Sequence, residues 1–468
     1  MVFSSLVFLF VFLPIVLLIY FIVPKKLKNF VILISSLIFY AWGEPVYIFL
    51  ILISLIINYI AALKVRKSFN NKEKQKFIFI TVILIDVSIL VFFKYYGFLI
   101  ESINALFGLS LHIRELPLPL GISFYTFQLI SYVADVFMEK VKPQKNIIDF
   151  GAYVVMFPQL VAGPIVQYSD VEKQLKNRHE SIEKFGAGAN RFITGLGKKV
   201  IIANILGLIW GEIKGLPIEN LSVVSAWLGI IAFTMQIYFD FSGYSDMAIG
   251  LGKIFGFDFI ENFNYPYISK SITEFWRRWH ISLGSWFREY MYIPLGGNRR
   301  GLFIQFRNLF IVWFSTGLWH GASNNFIFWG LYFGLIIFIE KIFLKAFLEK
   351  LPDIVSHIYT MVLVIIGWVF FDSSTLNEAF KFIGVMFGAG DNLFIDNLSK
   401  YLFNTNIVVL AAAIICSTPL IPRLIRKLKT KLNKFDIIMI TIIQTQILVI
   451  SVAFLVSDSY NPFLYFRF

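Results

Sequence analysis

Long stretches without a charged residue constrain this chain more than any other feature. Five stretches contain no aspartate, glutamate, lysine or arginine, and about 20 apolar residues are enough to cross a bilayer as a helix. Charged residues make up 15% of the 468 residues, whereas soluble domains contain roughly a quarter. Because irregular backbone cannot face lipid, the chain is predicted to be an all-α polytopic membrane protein. The five stretches are Met1–Val23, Leu221–Phe239, Asn308–Ile339, Tyr401–Pro422 and Ile437–Ser457.

Two short basic loops predict the orientation of the chain. Lys64–Lys76 carries six basic residues and one acidic residue, and Arg423–Lys434 carries six basic residues and no acidic one. They account for most of the formal net charge of +13, as is typical of cytoplasmic loops. With both loops inside, the N-terminus and the C-terminus are predicted to lie outside. Nucleic-acid binding is disfavoured, because no base-reading module accompanies these loops.

Two apolar segments are poor candidates for simple spanning helices. Pro117–Gly121 and Phe157–Pro164 place prolines and glycines among apolar residues. Such breaks must be buried in protein or line a water-filled cavity, so that the freed backbone groups find partners. We expect re-entrant segments around an internal cavity; a kinked structural helix is the alternative.

The composition changes between Lys253 and Arg307, where arginines alternate with aromatic residues. Ser271 and Glu274 have the spacing of a capping box, which predicts the start of a helix. The amphipathic pattern that follows favours one helix at the membrane interface or beside a cavity, ending near Pro294. His280 lies on this predicted helix.

Two of the five histidines are candidate functional residues. His320 falls inside the longest charge-free stretch, and an ionisable residue at membrane depth is a functional candidate by default. His280 lies among arginines and tryptophans of the amphipathic segment. A packing or hydrogen-bonding role is the alternative for each histidine.

No metal site is predicted. No second histidine, cysteine, aspartate or glutamate lies three or four residues from His320 or His280, which is the spacing of a helical metal site. The single cysteine, Cys416, lies in an apolar run, so a disulfide framework is excluded. The chain has no G-x-S-x-G motif before a histidine, which excludes an α/β-hydrolase.

Seven sequence strings occur in a fixed order from about residue 117 to the last residue, and together they carry a resemblance. The chain resembles the membrane-bound O-acyltransferase family and, within it, the branch of the alginate O-acetylase membrane subunits. The strings are Pro119–Gln128, Val161–Ile165, Asp240–Ala248, Phe275–Leu283, Tyr292–Arg299, Gly317–Ser323 and Asn461–Phe468.

The resemblance implies about 11 transmembrane helices, with re-entrant or interfacial helices and a central tunnel. It implies a single catalytic membrane domain over residues 1–468. Within this domain, residues 1–110 are N-terminal spans, 117–340 the catalytic core, 341–457 C-terminal spans and 458–468 an extracellular aromatic tail.

The resemblance also implies roles for both histidines, with His320 as the catalytic histidine and His280 as a second functional position. Acyl transfer from a thioester to a hydroxyl needs a base to accept the hydroxyl proton, and the unperturbed histidine pKa of ~6.5 suits this task. Tyr465, in the aromatic tail, resembles a transient acyl carrier. Its alternative is an aromatic anchor at the membrane interface.

Five arginines are candidates for binding the donor, since guanidinium groups bind phosphate well. An interfacial helix that meets anionic lipid headgroups is the alternative. For Asp240 and Asp246 a structural hydrogen-bonding role is expected. The five arginines are Arg277, Arg278, Arg288, Arg299 and Arg300.

The resemblance implies an enzyme in a bacterial plasma membrane that moves acetyl from a cytosolic thioester, acetyl-CoA, toward a cell-surface polysaccharide. No bound cofactor is expected, and an extracellular SGNH-type transferase or esterase is the expected partner. The alternatives are D-alanyl transfer to teichoic acid from a carrier protein and, in a different class, a transporter. The acceptor polymer stays open.

Overall fold

The computed structural model describes residues 1–114, 116–390, 392–428, 434–457 and 464. These residues form α-helices joined by short turns, and no β-strand occurs among them. This confirms the predicted all-α class. The helices are α1 (Leu13–Ile22), α2 (Lys28–Gly43), α3 (Ile48–Lys67), α4 (Lys72–Phe107), α5 (Ile122–Phe137), α6 (Ile147–Val155), α7 (Phe157–Leu160), α8 (Tyr168–Lys176), α9 (Ile182–Gly197), α10 (Asn204–Lys214), α11 (Val223–Ile254), α12 (Ile272–Arg278), α13 (Ile281–Phe287), α14 (Leu302–His320), α15 (Asn324–Ile339), α16 (Lys345–Leu348), α17 (Asp353–Asp372), α18 (Leu376–Met386), α19 (Asn397–Cys416), α20 (Leu420–Leu428) and α21 (Lys434–Ser457).

Shorter helical turns of 3₁₀ or π geometry extend or join several of these helices. The π turns matter for the site, because two of them carry candidate functional residues. The 3₁₀ turns are Lys25–Leu27, Ile218–Asn220 and Pro266–Ile268, and the π turns are Phe8–Phe12, Lys198–Ala203, Arg288–Tyr292 and Glu340–Leu344.

Eight helical segments of the described chain are long and apolar enough to cross a membrane. The protein is therefore a multi-pass membrane protein, as predicted. Two shorter apolar helices accompany the eight, and the predicted number of about 11 membrane helices is not confirmed. The eight segments are Ile48–Lys67, Lys72–Phe107, Ile182–Lys214, Val223–Ile254, Asn324–Leu348, Asp353–Asp372, Asn397–Cys416 and Asp436–Ser457.

The chain divides into two compact units. The first contains residues 1–192 and 245–260, and the second contains residues 193–244 and 261–468. The single catalytic domain over residues 1–468 stays a prediction.

In the first unit, the predicted break at Phe157–Pro164 is buried in protein, whereas Pro117 and Leu118 of the other break are exposed. All four residues of α7 are buried, and the segment before α5 lies against them. Gly121 has a φ of +71°, and a Cβ at this position would lie 2.7 Å from the Leu160 carbonyl oxygen. Glycine therefore permits both the turn into α5 and this close approach. The role of the breaks as tunnel walls stays a prediction.

In the second unit, the longest charge-free stretch forms a helical hairpin and not one span. Helix α14 ends at His320, the chain turns at Gly321, and α15 begins at Asn324. The two helices pack closely through glycines: a Cβ on Gly317 would lie 2.3 Å from the Phe326 carbonyl oxygen. Small residues at such a contact let two membrane helices approach each other. The hairpin places His320 at the turn.

Candidate active site

The amphipathic segment is two short helices, so the prediction of one continuous helix carrying His280 is wrong. Helix α12 ends at Arg278, and α13 begins at Ile281. The reason is a pair of backbone hydrogen bonds from a distant segment. The Asn264 N–H donates to the Arg278 carbonyl at 2.9 Å, and the Ile281 N–H donates to the Asn262 carbonyl at 3.0 Å. These bonds hold His280 between the helices, with a left-handed φ of 46°.

Helix α12 starts where Ser271 and Glu274 predicted, but only half of the capping box forms, because the Glu274 carboxylate accepts the N–H of Lys270 and not that of Ser271. The Ser271 hydroxyl accepts the Glu274 N–H at 3.0 Å. A second cap comes from Glu340, which is fully buried. Its carboxylate accepts the N–H groups of Ile272 at 2.7 Å and Thr273 at 2.8 Å. A carboxylate at a helix N-terminus satisfies free N–H groups and favours the helix dipole, so Glu340 fixes the helix that leads to His280.

The His280 ring is oriented by hydrogen bonds. Its Nδ1 lies 3.2 Å from Asn262 Oδ1, and the same oxygen accepts the Ser282 N–H at 3.1 Å and the Ser282 hydroxyl at 2.9 Å. Because an amide oxygen only accepts, the proton must lie on Nδ1, which leaves Nε2 as the basic nitrogen. Burial lowers the pKa of the His280 imidazole, so the ring is neutral near neutral pH.

His320 lies in an aromatic enclosure and is 4% exposed. Its ring centroid is 4.9 Å from that of Trp329, 5.0 Å from that of Trp319 and 5.2 Å from that of Phe371, and each pair meets edge to face. The Trp319 ring also contacts His280, at 5.9 Å. One tryptophan therefore touches both histidines.

Both histidines line one cavity of about 290 Å³. Apolar and aromatic side chains make up most of its wall, so water in it meets few polar groups. We call it the histidine cavity. Its lining is Trp276, Trp279, His280, Leu283, Gly284, Phe287, Arg288, Tyr292, Leu309, Val312, Trp313, Thr316, His320 and Lys341.

A second, larger cavity of about 920 Å³ shares five lining residues with the histidine cavity and therefore adjoins it. Its described lining includes five cationic side chains and no carboxylate, so we call it the cationic cavity. The shared residues are Trp276, Gly284, Arg288, Tyr292 and Lys341. The five cations are Arg277, Arg288, Arg299, Arg300 and Lys341.

The structure separates Arg278 from the other four predicted arginines. Its side chain donates to the Glu274 carboxylate at 2.9 Å and to the Asn264 carbonyl at 3.0 Å, and it lines neither cavity. Arg278 therefore ties α12 to the segment that causes the helix break. Tyr465, the predicted acyl carrier, lies outside the described residues.

Sequence reasoning missed Glu340 and Lys341. Both lie in the π turn that follows α15, and they are the first charges after the stretch that contains His320. That position was an available signal, since a charge directly after a long apolar run is either interfacial or functional. Among the described residues, no three histidine, cysteine, aspartate or glutamate side chains form a possible metal site.

The comparisons with known proteins agree with this architecture. Residues 139–371 match the model of the membrane-bound O-acyltransferase family. The chain is 46% identical over 399 residues to the "Probable alginate O-acetylase AlgI" of Pseudomonas syringae pv. tomato, covering 84% of this chain and 76% of that protein. It is 35% identical to the "Peptidoglycan O-acetyltransferase" of Helicobacter pylori, covering 83% of this chain and 80% of that protein.

A more distant relative acts with a different acyl group, by its name. The chain is 29% identical over 261 residues to the "Teichoic acid D-alanyltransferase" of Bacillus subtilis, and the match covers 53% of this chain and 65% of that protein. The matched family region contains both histidines and the hairpin that carries His320. The chain therefore belongs to the membrane-bound O-acyltransferase family and is an O-acyltransferase.

Proposed function

We propose that this enzyme transfers an acetyl group from cytosolic acetyl-CoA toward a polysaccharide outside the bacterial plasma membrane. The observation that carries the proposal is the adjoining pair of cavities, one cationic and one holding both histidines. The relatives named alginate O-acetylase and peptidoglycan O-acetyltransferase support acetyl as the acyl group and a surface glycan as the final acceptor.

The cationic cavity suits the phosphate-bearing part of coenzyme A. Arg277, Arg299 and Arg300 line it without a carboxylate in the described wall, and guanidinium groups bind phosphate in a two-pronged geometry. The Tyr292 hydroxyl and the Trp276 indole N–H, on residues shared by both cavities, are buried and have no hydrogen-bond partner among the described residues. A bound donor would satisfy such groups.

His320 would act as the base in the histidine cavity. Its imidazole accepts the proton of the acceptor hydroxyl while the hydroxyl oxygen attacks the thioester carbonyl. The carbon–sulfur bond then breaks, and the departing thiolate takes up the proton, so the histidine returns to its starting form. The aromatic wall keeps water from competing for the acyl group. His280, with its proton fixed on Nδ1, would present Nε2 to the same cavity.

The final acceptor lies on the other side of the membrane from the donor, so an intermediate carrier is part of the proposal. Tyr465 would receive the acetyl group through a tunnel and pass it to an extracellular SGNH-type partner. Both termini would lie outside, with Lys64–Lys76 and Arg423–Lys434 in the cytoplasm. The basic content of these two loops supports this orientation.

D-alanyl transfer to teichoic acid is the second candidate, because one relative carries that name. Its donor would be a carrier protein. The two donors can be distinguished directly, because only acetyl-CoA would place nucleotide phosphates in the cationic cavity. Activity with a D-alanyl carrier protein and none with acetyl-CoA would favour this candidate.

The test is acetyl transfer by the purified protein from radiolabelled acetyl-CoA, with label followed on the protein, in wild type, His320→Ala and Tyr465→Phe. Label that requires both His320 and Tyr465 supports the relay. Turnover that requires His320 without label on the protein would keep the acetyltransferase and overturn the acyl-tyrosine step. Turnover that does not depend on His320 would overturn the proposed function.

A further inference from the structure

Leu464 belongs to the C-terminal segment (residues 458–468) and is the residue of that segment that the structure describes. It lies in the second unit. Leu464 is 3% exposed, and its backbone N–H donates to the Asp240 carboxylate Oδ2 at 2.8 Å. Its side chain belongs to the same buried apolar cluster as Tyr238, Trp279 and Phe371. The backbone hydrogen bond and the buried side chain together hold Leu464 in place, whereas residues near a chain end usually make few such contacts.

The carboxylate that accepts this bond is itself held in place. Asp240 Oδ1 lies 2.5 Å from the Lys199 ammonium nitrogen, and the two side chains are 2% and 4% exposed. A buried charge is costly unless it is paired and hydrogen-bonded. Lys199 thus pairs with one oxygen of the buried Asp240 carboxylate, and the other oxygen accepts the N–H of Leu464.

Glycines bring the two charges together. A Cβ on Gly243 would lie 2.7 Å from the Gly195 carbonyl oxygen, so α11 and the end of α9 approach each other at backbone distance. Lys199 lies in the π turn that follows α9, and Asp240 lies one turn before Gly243 on α11. The residues around Asp240 therefore form a close contact between two helices, and this contact holds the Asp240 carboxylate in place.

This carboxylate lies next to the catalytic region. Phe241, the residue after Asp240, meets the His280 ring edge to face at a centroid distance of 4.7 Å. Asp246, the other acid of the same string, pairs with Arg191 at 2.8 Å, and both side chains are partly exposed. Asp246 thus belongs to an ordinary ion pair between helices, whereas Asp240 connects the C-terminal segment to the helix that contacts His280.

We propose that the Lys199–Asp240 pair is an anchor for the C-terminal segment, and that Asp240 is a positioning residue for transfer of the acyl group to Tyr465. This proposal rests on the proposed function, in which Tyr465 is the acyl carrier. Tyr465 follows Leu464 directly in the sequence, so one peptide bond joins it to the anchored residue. Fixing Leu464 reduces the entropy that the tail loses when its hydroxyl meets the acyl group.

The anchor itself is tested without acyl chemistry, by hydrogen exchange of the Leu464 amide in the purified full chain. A double variant, Lys199→Met with Asp240→Leu, removes both charges and leaves neither buried alone. We expect at least about tenfold faster exchange of the Leu464 amide in this variant, because a lost hydrogen bond removes protection. Asp246→Asn serves as the control with unchanged exchange. Equal exchange in the double variant and wild type would overturn the anchor.

The positioning role is tested with a matched pair at Leu464. Leu464→Ala keeps the backbone N–H, whereas Leu464→Pro removes it. We expect Leu464→Pro to lower acetyl label on Tyr465 at least about tenfold, with equilibrium binding of CoA unchanged, and Leu464→Ala to keep most of the label. A merely structural role would weaken CoA binding and lower the label together, and that result would overturn positioning.

The two proposals fail in different ways. Absence of label in wild type, with the Leu464 amide protected through Asp240, would overturn the acyl carrier and its positioning while the anchor stands. Normal label in Leu464→Pro would overturn positioning while Tyr465 remains the carrier.

Discussion

The two adjoining cavities of the second unit differ in size and in the balance of apolar and cationic side chains, although they share Arg288 and Lys341. The histidine cavity is the smaller, at about 290 Å³ against about 920 Å³, and apolar and aromatic side chains make up most of its wall. The cationic cavity is lined by four arginines and Lys341. A largely apolar wall strengthens electrostatic interactions inside a cavity, whereas a cationic wall binds anions from solution. Under the proposed function, the difference teaches that the cationic cavity binds the donor and the histidine cavity holds the acyl group, with five lining residues shared between them.

The strongest test of this comparison removes His320, the proposed base. His320→Ala should lower the turnover of acetyl-CoA by about 10²- to 10⁴-fold, the usual contribution of a general base, and leave the affinity for CoA unchanged. Turnover by the purified variant and equilibrium binding of CoA provide the two measurements. His112→Ala, at an exposed loop histidine, is the matched control. Weakened binding of CoA in His320→Ala would contradict the separation of roles.

The second change concerns His280, whose ring is oriented by Asn262. His280→Gln should lower turnover by about 10- to 100-fold. Since burial lowers the pKa of His280, this imidazole does not gain a proton near neutral pH, and the midpoint of the pH–rate profile should stay where it is in wild type. A profile of kcat against pH for both proteins checks this. A shifted midpoint in the variant would identify His280 as the titrating group.

The third prediction tests whether the cationic cavity binds acetyl-CoA. The double variant Arg299→Gln with Arg300→Gln should raise the KM for acetyl-CoA about tenfold, because two phosphate contacts are lost, and leave kcat within about twofold. Acetyl-pantetheine, which lacks the nucleotide phosphates, is the matched substrate, and its KM should not change. A fall in kcat for both substrates would show that these arginines act on the chemistry.

The smallest change compares two neighbouring arginines. Arg277 lines the cationic cavity, whereas Arg278 pairs with Glu274. Arg277→Gln should raise the KM for acetyl-CoA about threefold, in the range of one partly screened charge contact, and Arg278→Gln should not change it. Both KM values are measured at two salt concentrations, since high salt should reduce the effect at Arg277. Equal effects of the two substitutions would contradict the assignment of Arg277 to the donor.

Much of the fold follows from the sequence, because a segment that crosses lipid must be long, apolar and helical. Charge-free stretches lie in four of the eight described segments that are long and apolar enough to cross a membrane, and Ser271 with Glu274 predicted the start of α12. The turn after His320 was not predicted, because the whole stretch lacks charged residues, although Gly321 and the polar residues Ser323 to Asn325 follow the histidine. The turn depends on close glycine contacts between α14 and α15, which only the packed structure reveals.

The candidate site was predicted in part. His320 was identified by its position in a long charge-free stretch and His280 by its place among arginines and tryptophans. Four of the five predicted arginines line one cavity. The helix break at His280 depends on bonds from Asn262 and Asn264, and no local pattern encodes contacts at that separation. Lys341 joins the site because the π turn after α15 places it in the lining of both cavities. Tyr465 lies outside the described residues.

The most direct test of the central claim is a cryo-electron microscopy structure of the purified enzyme with bound CoA. We expect the nucleotide phosphates against Arg299 and Arg300 in the cationic cavity, with the thiol in the histidine cavity beside His320. CoA bound elsewhere on the protein, or in the cationic cavity with its thiol directed away from His320, would contradict the division of roles between the two cavities.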